Sequence, residues 1–189
     1  MAADQPAVEI VVPTPAQKLV VRHLLELYDY DFSEIEPVGP GSDVDEFGLF
    51  GYRYLDHYWT EPGRHPFLFR VAGHWAGLAL VMRRRALLSE GNATWLAEFF
   101  VLRKYRRRGV GASAATQLFD RFPGRWEVGQ VDENTVAQSF WRGIIGRYTN
   151  GRYREAHLNE PRWQGPVQAF DSPGADPAPA TGGAQRSGW

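Results

Sequence analysis

The stretch "EFFVLRKYRRRGVGASAATQLF", residues 98–119, joins an apolar run to five basic residues and two glycines. The apolar run is typical of a strand that ends at Leu102, and the apolar spacing after Gly109 predicts a helix. Glycines at the start of a helix let backbone N–H groups approach a ligand without a Cβ atom in the way. The helix N-terminus adds unpaired donors and a positive dipole end, so this connection suits a phosphate group.

Three interpretations of this connection stay open on spacing alone. Arg106, Arg107 and Arg108 supply charge for a phosphate site, but they equally suit a tight glycine turn with solvated arginines. The third is a nucleic-acid patch over residues 103–108, which the formal net charge of −1 disfavours. The P-loop and dinucleotide motifs do not fit, because no Gly-Lys-Ser/Thr follows and Ala114 stands at the third glycine position.

The composition indicates a single globular domain. The chain has 189 residues, 43% hydrophobic and 14% aromatic, which is enough for one sizeable core. It has no cysteine, so disulfides, thiolate metal sites and a thiol nucleophile are excluded. Five histidines without ligand spacing indicate that no metal is bound. The first residues lack a signal peptide and the apolar runs are too short for a bilayer, so we expect a soluble, cytoplasmic protein without a membrane partner.

Apolar periodicity predicts alternating strands and helices. Thr14, Pro15 and Gln17 form a capping box for the first helix, and residues 72–75 indicate a hairpin turn. The order predicts an α/β fold, a mixed sheet whose antiparallel first part leads into a βαβ unit. The predicted strands are residues 8–12, two runs within 66–83, 94–102, 125–131, 152–158 and 165–171, and the predicted helices are 14–32, 109–122 and 132–148.

The last residues differ in composition from the rest. We expect the domain to cover residues 1–170, and residues 171–189 to form a disordered tail rich in proline, glycine and alanine. Residues 33–45 carry two prolines and two glycines and are expected to form a loop.

Two motifs carry a resemblance to a known family. The segment "VLRKYRRRGVGASA" resembles the Arg/Gln-x-x-Gly-x-Gly/Ala motif of the GNAT superfamily of acyl-CoA-dependent N-acyltransferases, with Arg106, Gly109 and Gly111 at the defining positions. The segment "ENTVAQSFWRGI" resembles the later Asn-x-x-Ala-x-x-Phe-Tyr helix of that superfamily, although Trp141 stands where tyrosine is usual. The segments "YLDHYWTEPGRHPF" and "FWRGIIGRYTNGRY" are similar to a bacterial branch of this superfamily that is described only as predicted acetyltransferases.

The resemblance implies a fold and a co-substrate. It implies the GNAT acyl-CoA N-acyltransferase fold, a central mixed sheet flanked by helices, and acetyl-CoA as acyl donor. The pantetheine arm would pair with the strand backbone at Phe100 and Val101. The backbone amides of residues 107–112 would cradle the diphosphate; residues 103–112 are called the basic connection below. Asn134 would contact the cofactor arm. The residues implied in cofactor binding are Phe100, Val101, Arg106, Arg107, Arg108, Gly109, Val110, Gly111, Ala112, Asn134 and Trp141.

Glu98 is the candidate general base. Both alternating faces of its strand are apolar, which indicates a central strand, and burial raises a carboxyl pKa toward the range that a base needs. The alternative is a structural ion pair with an arginine. Glu127 on the next strand is the reserve base. Because Trp141 replaces the usual tyrosine, no residue is assigned as general acid. Tyr148 and Tyr153 are near in sequence but do not match the motif position.

The acceptor is defined only by class. The implied reaction moves an acetyl group to a primary amine, on a small molecule or a peptide. Aromatic and acidic residues in 27–36 and 43–59 suit a cationic amine, but they equally suit an aromatic core with a solvated acidic rim. A homodimer and a non-catalytic acyl-CoA-binding module are further possibilities.

Overall fold

The computed structural model describes residues 6–35 and 43–174. Most of the predicted loop 33–45 and most of the predicted tail lie outside these residues, so both remain predictions. The last strand reaches Ser172, two residues beyond the expected end of the domain.

The order of elements follows the sequence prediction, with one addition, the short helix α2. Single 3-10 turns at Pro15–Gln17 and Arg103–Tyr105 precede α1 and α3. The strands are β1 (Val8–Val11), β2 (Arg64–Val71), β3 (His74–Arg85), β4 (Asn92–Val101), β5 (Gly124–Gly129), β6 (Arg154–Glu160) and β7 (Trp163–Ser172), and the helices are α1 (Lys18–Phe32), α2 (His57–Thr60), α3 (Val110–Arg121) and α4 (Thr135–Tyr148).

The strands of the described chain form one mixed sheet with the order β1-β2-β3-β4-β5-β7-β6. Neighbours are antiparallel except β4 and β5, which are parallel and are joined by α3. A parallel pair needs such a crossover, because a tight turn cannot return the chain to the same end of the sheet. The predicted mixed sheet flanked by helices is therefore confirmed.

Local sequence signals account for two of the connections. Gln17 Oε1 accepts a hydrogen bond of 2.9 Å from the Thr14 N–H, as the predicted capping box requires. Between β2 and β3, Ala72 and Gly73 both have positive φ, 48° and 79°. Two such residues form the tight turn that matches the twist of an antiparallel pair, so the predicted hairpin is confirmed.

The strands β4 and β5 separate soon after they meet. They pair only at Thr94 with Trp126 and at Trp95 with Glu127. Within the described residues, the remainder of β4 has no partner on β5. One edge of a central strand is thus left open along its carboxyl-terminal half.

A β-bulge lies at the same place on the other edge of β4. Leu80 of β3 pairs with Glu98 and Val81 pairs with Leu96, so Ala97 has no opposite residue. As a result, Leu96 packs in the core on the α3 and α4 side, whereas Ala97 packs on the α1 side. Strict alternation would place Leu96 and Glu98 on one face of the strand, but alternation fails at a bulge.

The sheet has an apolar core on each face. Val21, Leu24 and Leu25 of α1 cover one face, together with Leu55 and Tyr58. The helices α3 and α4 cover the other face with a larger cluster that includes Val110, Ala114, Leu118, Phe119, Trp141, Ile144 and Ile145. Burial on both faces agrees with the apolar pattern from which we inferred that β4 is central.

Gly77 on β3 should tolerate no side chain. A Cβ atom there would lie 2.1 Å from the Phe100 carbonyl oxygen and 2.9 Å from the Phe69 ring. We expect Gly77→Ala to lower the free energy of unfolding by about 3 kcal/mol, since neither backbone nor packed ring can give way. The urea unfolding midpoint measures this effect.

Gly143→Ala is the matched control. A Cβ atom at Gly143 would meet its nearest neighbour, Arg147 Nη1, at an ordinary 3.5 Å. Because alanine favours helix interiors, this change in α4 should raise the free energy of unfolding by roughly 0.5–1 kcal/mol. Equal midpoints for the two variants would contradict the close approach of β3 and β4.

Candidate active site

Glu98 lies on β4 directly after the bulge, on the face covered by α1. The Tyr52 hydroxyl donates to its Oε1 at 2.9 Å, and the Tyr28 hydroxyl also hydrogen-bonds to the carboxylate. The side chain is partly buried. Desolvation raises the Glu98 pKa to about 7, against the two tyrosine hydrogen bonds, which lower it. A carboxyl with this pKa is half ionised near neutral pH, as a general base requires.

The ion-pair alternative for Glu98 was wrong. Within the described residues, no lysine, arginine or histidine contacts its carboxylate, and the neighbours that affect its pKa are tyrosines and Asp29. An arginine partner would favour the charged form and lower the pKa. Tyrosine hydroxyls satisfy the oxygens without cancelling the charge, so desolvation dominates.

The two tyrosines come from elements that sequence reasoning did not connect with Glu98. Tyr28 lies on α1, with its ring edge-on to Phe100 at 5.9 Å between centroids. Tyr52 lies in the loop after residue 43, which Glu26 of α1 holds by accepting hydrogen bonds from the N–H groups of Phe50 and Gly51. The only sequence signal was the density of tyrosines in both segments.

Glu127 holds backbone in place, and its assignment as reserve base remains a prediction. Its side chain is fully buried, and its two oxygens accept hydrogen bonds of 2.7 and 2.8 Å from the N–H groups of Leu87 and Leu88. These bonds hold the chain where it leaves β3. Both oxygens are already engaged with the backbone.

The later tyrosines contact other groups. Tyr148 donates to Asp120 and contacts Ser172, each at 2.7 Å, on the α3 and α4 side of the sheet. Burial raises the pKa of Tyr148 to about 12, so it holds its proton firmly. Trp141, which stands where the family motif has tyrosine, is 5% exposed and packs edge-on to Phe99.

The basic connection is tied to the end of α1. Asp31 forms ion pairs with both Arg103 and Arg106. Arg106 Nε also donates to the Val101 carbonyl at 2.7 Å, so one of the two strand residues expected to pair with a pantetheine arm has its carbonyl engaged. Arg107 and Arg108 are exposed. All four arginines are exposed, but only Arg103 and Arg106 are paired with a carboxylate in the described residues.

The backbone of this connection fits an anion. The first bond of α3 runs from the Ser113 N–H to the Gly109 carbonyl, so the amides of Val110, Gly111 and Ala112 precede the helical ladder. Gly109 and Arg107 have positive φ, 81° and 59°, a backbone typical of anion-binding concavities. A diphosphate is a suitable ligand for such donors beside two exposed arginines.

Gly111 has a packing role. A Cβ atom there would point at the Phe140 ring, 3.2 Å away, and at Val101. The missing side chain thus lets α3 approach α4 and β4, while the amide of Gly111 stays at the helix start. Asn134 caps α4, since its Oδ1 accepts from the Ala137 N–H at 3.0 Å, and its expected contact with a cofactor remains a prediction.

The comparison with known families identifies the fold. The model of the acetyltransferase (GNAT) family matches residues 24–144, more than half of the chain. The chain belongs to this family. The resemblance drawn from the two sequence motifs is confirmed. No curated protein matches the sequence.

Solved GNAT-type structures share the architecture at low identity. An acetyltransferase from Thermus thermophilus is 12% identical with a TM-score of 0.62, covering 88% of this chain and 98% of its own. Mycobacterium smegmatis RimJ, in complex with CoA-disulfide, is 15% identical with a TM-score of 0.58, covering 87% and 82%. Thermoplasma acidophilum PaiA N-acetyltransferase, in complex with coenzyme A, is 10% identical with a TM-score of 0.55, covering 87% and 99%. At such identities the likeness shows the fold alone.

Among residues 6–35 and 43–174, no cluster of three or more histidine, aspartate or glutamate side chains could hold a metal ion. No helix in the same residues has the length and apolar character to cross a membrane.

Replacement of Glu98 by glutamine should stabilise the GNAT domain at alkaline pH. When folding raises the pKa of a carboxyl from 4.5 to about 7, the free energy of unfolding falls as the pH increases between these two values. We expect Glu98→Gln to exceed the wild type by up to roughly 3 kcal/mol at about pH 8, and to equal it at about pH 4. Urea unfolding at both pH values measures this. A variant less stable than the wild type at alkaline pH would show that the fold requires the charge.

Proposed function

We propose that this GNAT protein transfers an acetyl group from acetyl-CoA to the primary amine of an acceptor. The observation that carries the proposal is the position of Glu98, a carboxyl with a pKa of about 7 on the open half of β4. No basic side chain neutralises it within the described residues. Such a group can accept a proton from an amine that reacts beside the strand.

The donor is supported by the helix start and the open strand edge. The amides of Val110, Gly111 and Ala112, with Arg107 and Arg108, would hold the diphosphate. The open edge of β4 would take the extended arm. The structures of RimJ with CoA-disulfide and of PaiA with coenzyme A are consistent with this choice of donor. When bound, acetyl-CoA supplies the activated acyl carbon and a thiol leaving group.

The reaction releases one proton from the amine, and a residue of this chain accepts it. The attacking amine forms a C–N bond as the C–S bond breaks, and Glu98 takes the proton that the nitrogen loses. Tyr52 and Tyr28 orient the carboxylate with their hydroxyl hydrogens and keep their own protons, because burial and the Glu98 charge raise their pKa values. A thiol of pKa about 8.5, by analogy with cysteine, can leave without a dedicated acid.

An amine panel with acetyl-CoA tests the proposal. Thiol release and mass detection of the acetylated product should identify turnover, and Glu98→Gln should lower the rate by about 10²–10⁴. Acetyl-CoA at about 100 times its dissociation constant should stabilise both proteins against unfolding by about 2.7 kcal/mol. Stabilisation without turnover of any amine would instead indicate a non-catalytic acyl-CoA-binding module. Loss of both signals would reject acetyl-CoA as ligand.

Tyr52→Phe should shift the pH dependence of the reaction. The Tyr52 hydrogen bond lowers the Glu98 pKa, so its removal raises that pKa further above about 7. The acidic limb of kcat against pH should therefore move to higher pH while the plateau stays similar. Arg142→Gln, at an ion pair with Glu155 on the outside of α4, is the control and should leave the limb in place. An unchanged acidic limb in Tyr52→Phe would show that the Tyr52 hydrogen bond does not affect the group whose pKa controls the rate.

A further inference from the structure

We propose that the acceptor is a small primary amine that also carries a carboxylate or phosphate, and that Arg22 and Arg53 bind this anionic group. The inference rests on the proposed transferase function and adds the chemical class of its acceptor. It comes from a cavity that shares one wall with the Glu98 site.

The cavity lies between the start of α1 and the loop that follows residue 43. Its volume is about 530 Å³, within the range of about 300–1,000 Å³ typical of small-molecule sites. The lining residues are Lys18, Leu19, Arg22, Gly51, Tyr52, Arg53, Leu55 and Asp56.

The charged groups of this cavity are mostly positive. Lys18, Arg22 and Arg53 stand against a single carboxylate, Asp56. Asp56 is paired with Lys18 Nζ at 2.6 Å. Arg22 and Arg53 are exposed, and neither lies within ion-pair distance of an acidic side chain in the described parts of the chain, although Arg22 is close enough to Asp56 to help lower its pKa. Two positive charges therefore remain for a ligand.

Three acidic residues of α1 and of the loop after residue 43 are engaged within the protein. Glu26 accepts from the backbone of Phe50 and Gly51, and Asp45 accepts from the N–H groups of Phe47 and Leu49. Asp31 is occupied by two arginines of the basic connection. These carboxylates hold the loop and the end of α1 in place. An acceptor with only cationic groups would meet a cavity of its own sign, whereas an acceptor that also carries an anionic group would not.

Tyr52 links the cavity to the chemistry. It lines the cavity, and its hydroxyl donates to Glu98 at 2.9 Å. Arg53 is the next residue, and its guanidinium lies over the Tyr54 ring, 5.7 Å from the centroid. One loop thus presents a group that contacts the base and a cation that faces the cavity. An acceptor with its amine at Tyr52 and its anionic end at Arg53 and Arg22 satisfies both.

Matched acceptor pairs test the charge requirement. The pairs are phosphoethanolamine with ethanolamine, and γ-aminobutyrate with butylamine, each assayed with acetyl-CoA at low ionic strength. We expect kcat/KM at least tenfold higher for the anionic member of a pair. Added salt should reduce this preference, since exposed charges are screened.

Two variants test the residues. Arg53→Gln and Arg22→Gln should each raise KM for the anionic acceptor about tenfold, leave kcat similar, and leave the neutral acceptor unchanged. Arg125→Gln is the control, because Arg125 is an exposed arginine of β5 that faces Asp171 and lies outside this cavity. Equal kcat/KM within each pair, or the same effect from all three variants, would overturn the inference while leaving the transferase proposal intact.

A binding measurement separates the two proposals. Phosphoethanolamine should raise the melting temperature of the wild type, and Arg53→Gln should need about tenfold more of the compound for the same shift. Suppose that no amine is acetylated, but phosphoethanolamine stabilises the wild type more than it stabilises Arg53→Gln. The transferase proposal then fails and the anion site stands. If neither anionic compound binds or reacts while neutral amines are acetylated, the anion site is rejected.

Discussion

The site depends on one constraint in the backbone, the separation of β4 from β5 beside a bulge in β4. The two strands share only the pairs Thr94–Trp126 and Trp95–Glu127, so the rest of β4 keeps a free edge inside the sheet. The bulge at Ala97 changes the face to which the following side chains point, and Glu98 turns toward α1 as a result. Without it, the carboxyl would enter the packed core against α3 and α4.

Two carboxylates on adjacent strands show how local partners decide the role of an acid. Glu127 accepts two backbone N–H groups and holds a loop, with no oxygen left over. Glu98 receives tyrosine hydroxyls, which orient it but do not neutralise it. Tyrosines also keep their protons in this setting, so the carboxyl is the group that titrates near neutral pH. An arginine in place of either tyrosine would favour the charged form and weaken the base.

The arginines divide into structural and free ones by the same logic. Asp31 holds Arg103 and Arg106 against the end of α1, which leaves the backbone amides of the connection and Arg107 and Arg108 for an anion. Around the cavity, Asp56 pairs directly with Lys18, whereas Arg22 and Arg53 have no acidic side chain at ion-pair distance in the described residues. Counting residues along the chain would treat all of these charges alike.

The amino-acid sequence by itself determined the order of elements, the helix start at Gly109, the hairpin at Ala72 and Gly73, and the family motifs, because each depends on neighbours within a few residues. It also indicated Glu98, since a lone acid in an apolar strand is conspicuous. Only the tertiary structure decided that Tyr28 and Tyr52, 24 residues apart, meet that acid, that Glu127 is occupied by backbone, and that Ala97 is a bulge. Those facts depend on strand register and on the packing of α1, which bring together residues far apart in the chain, and no local pattern encodes them.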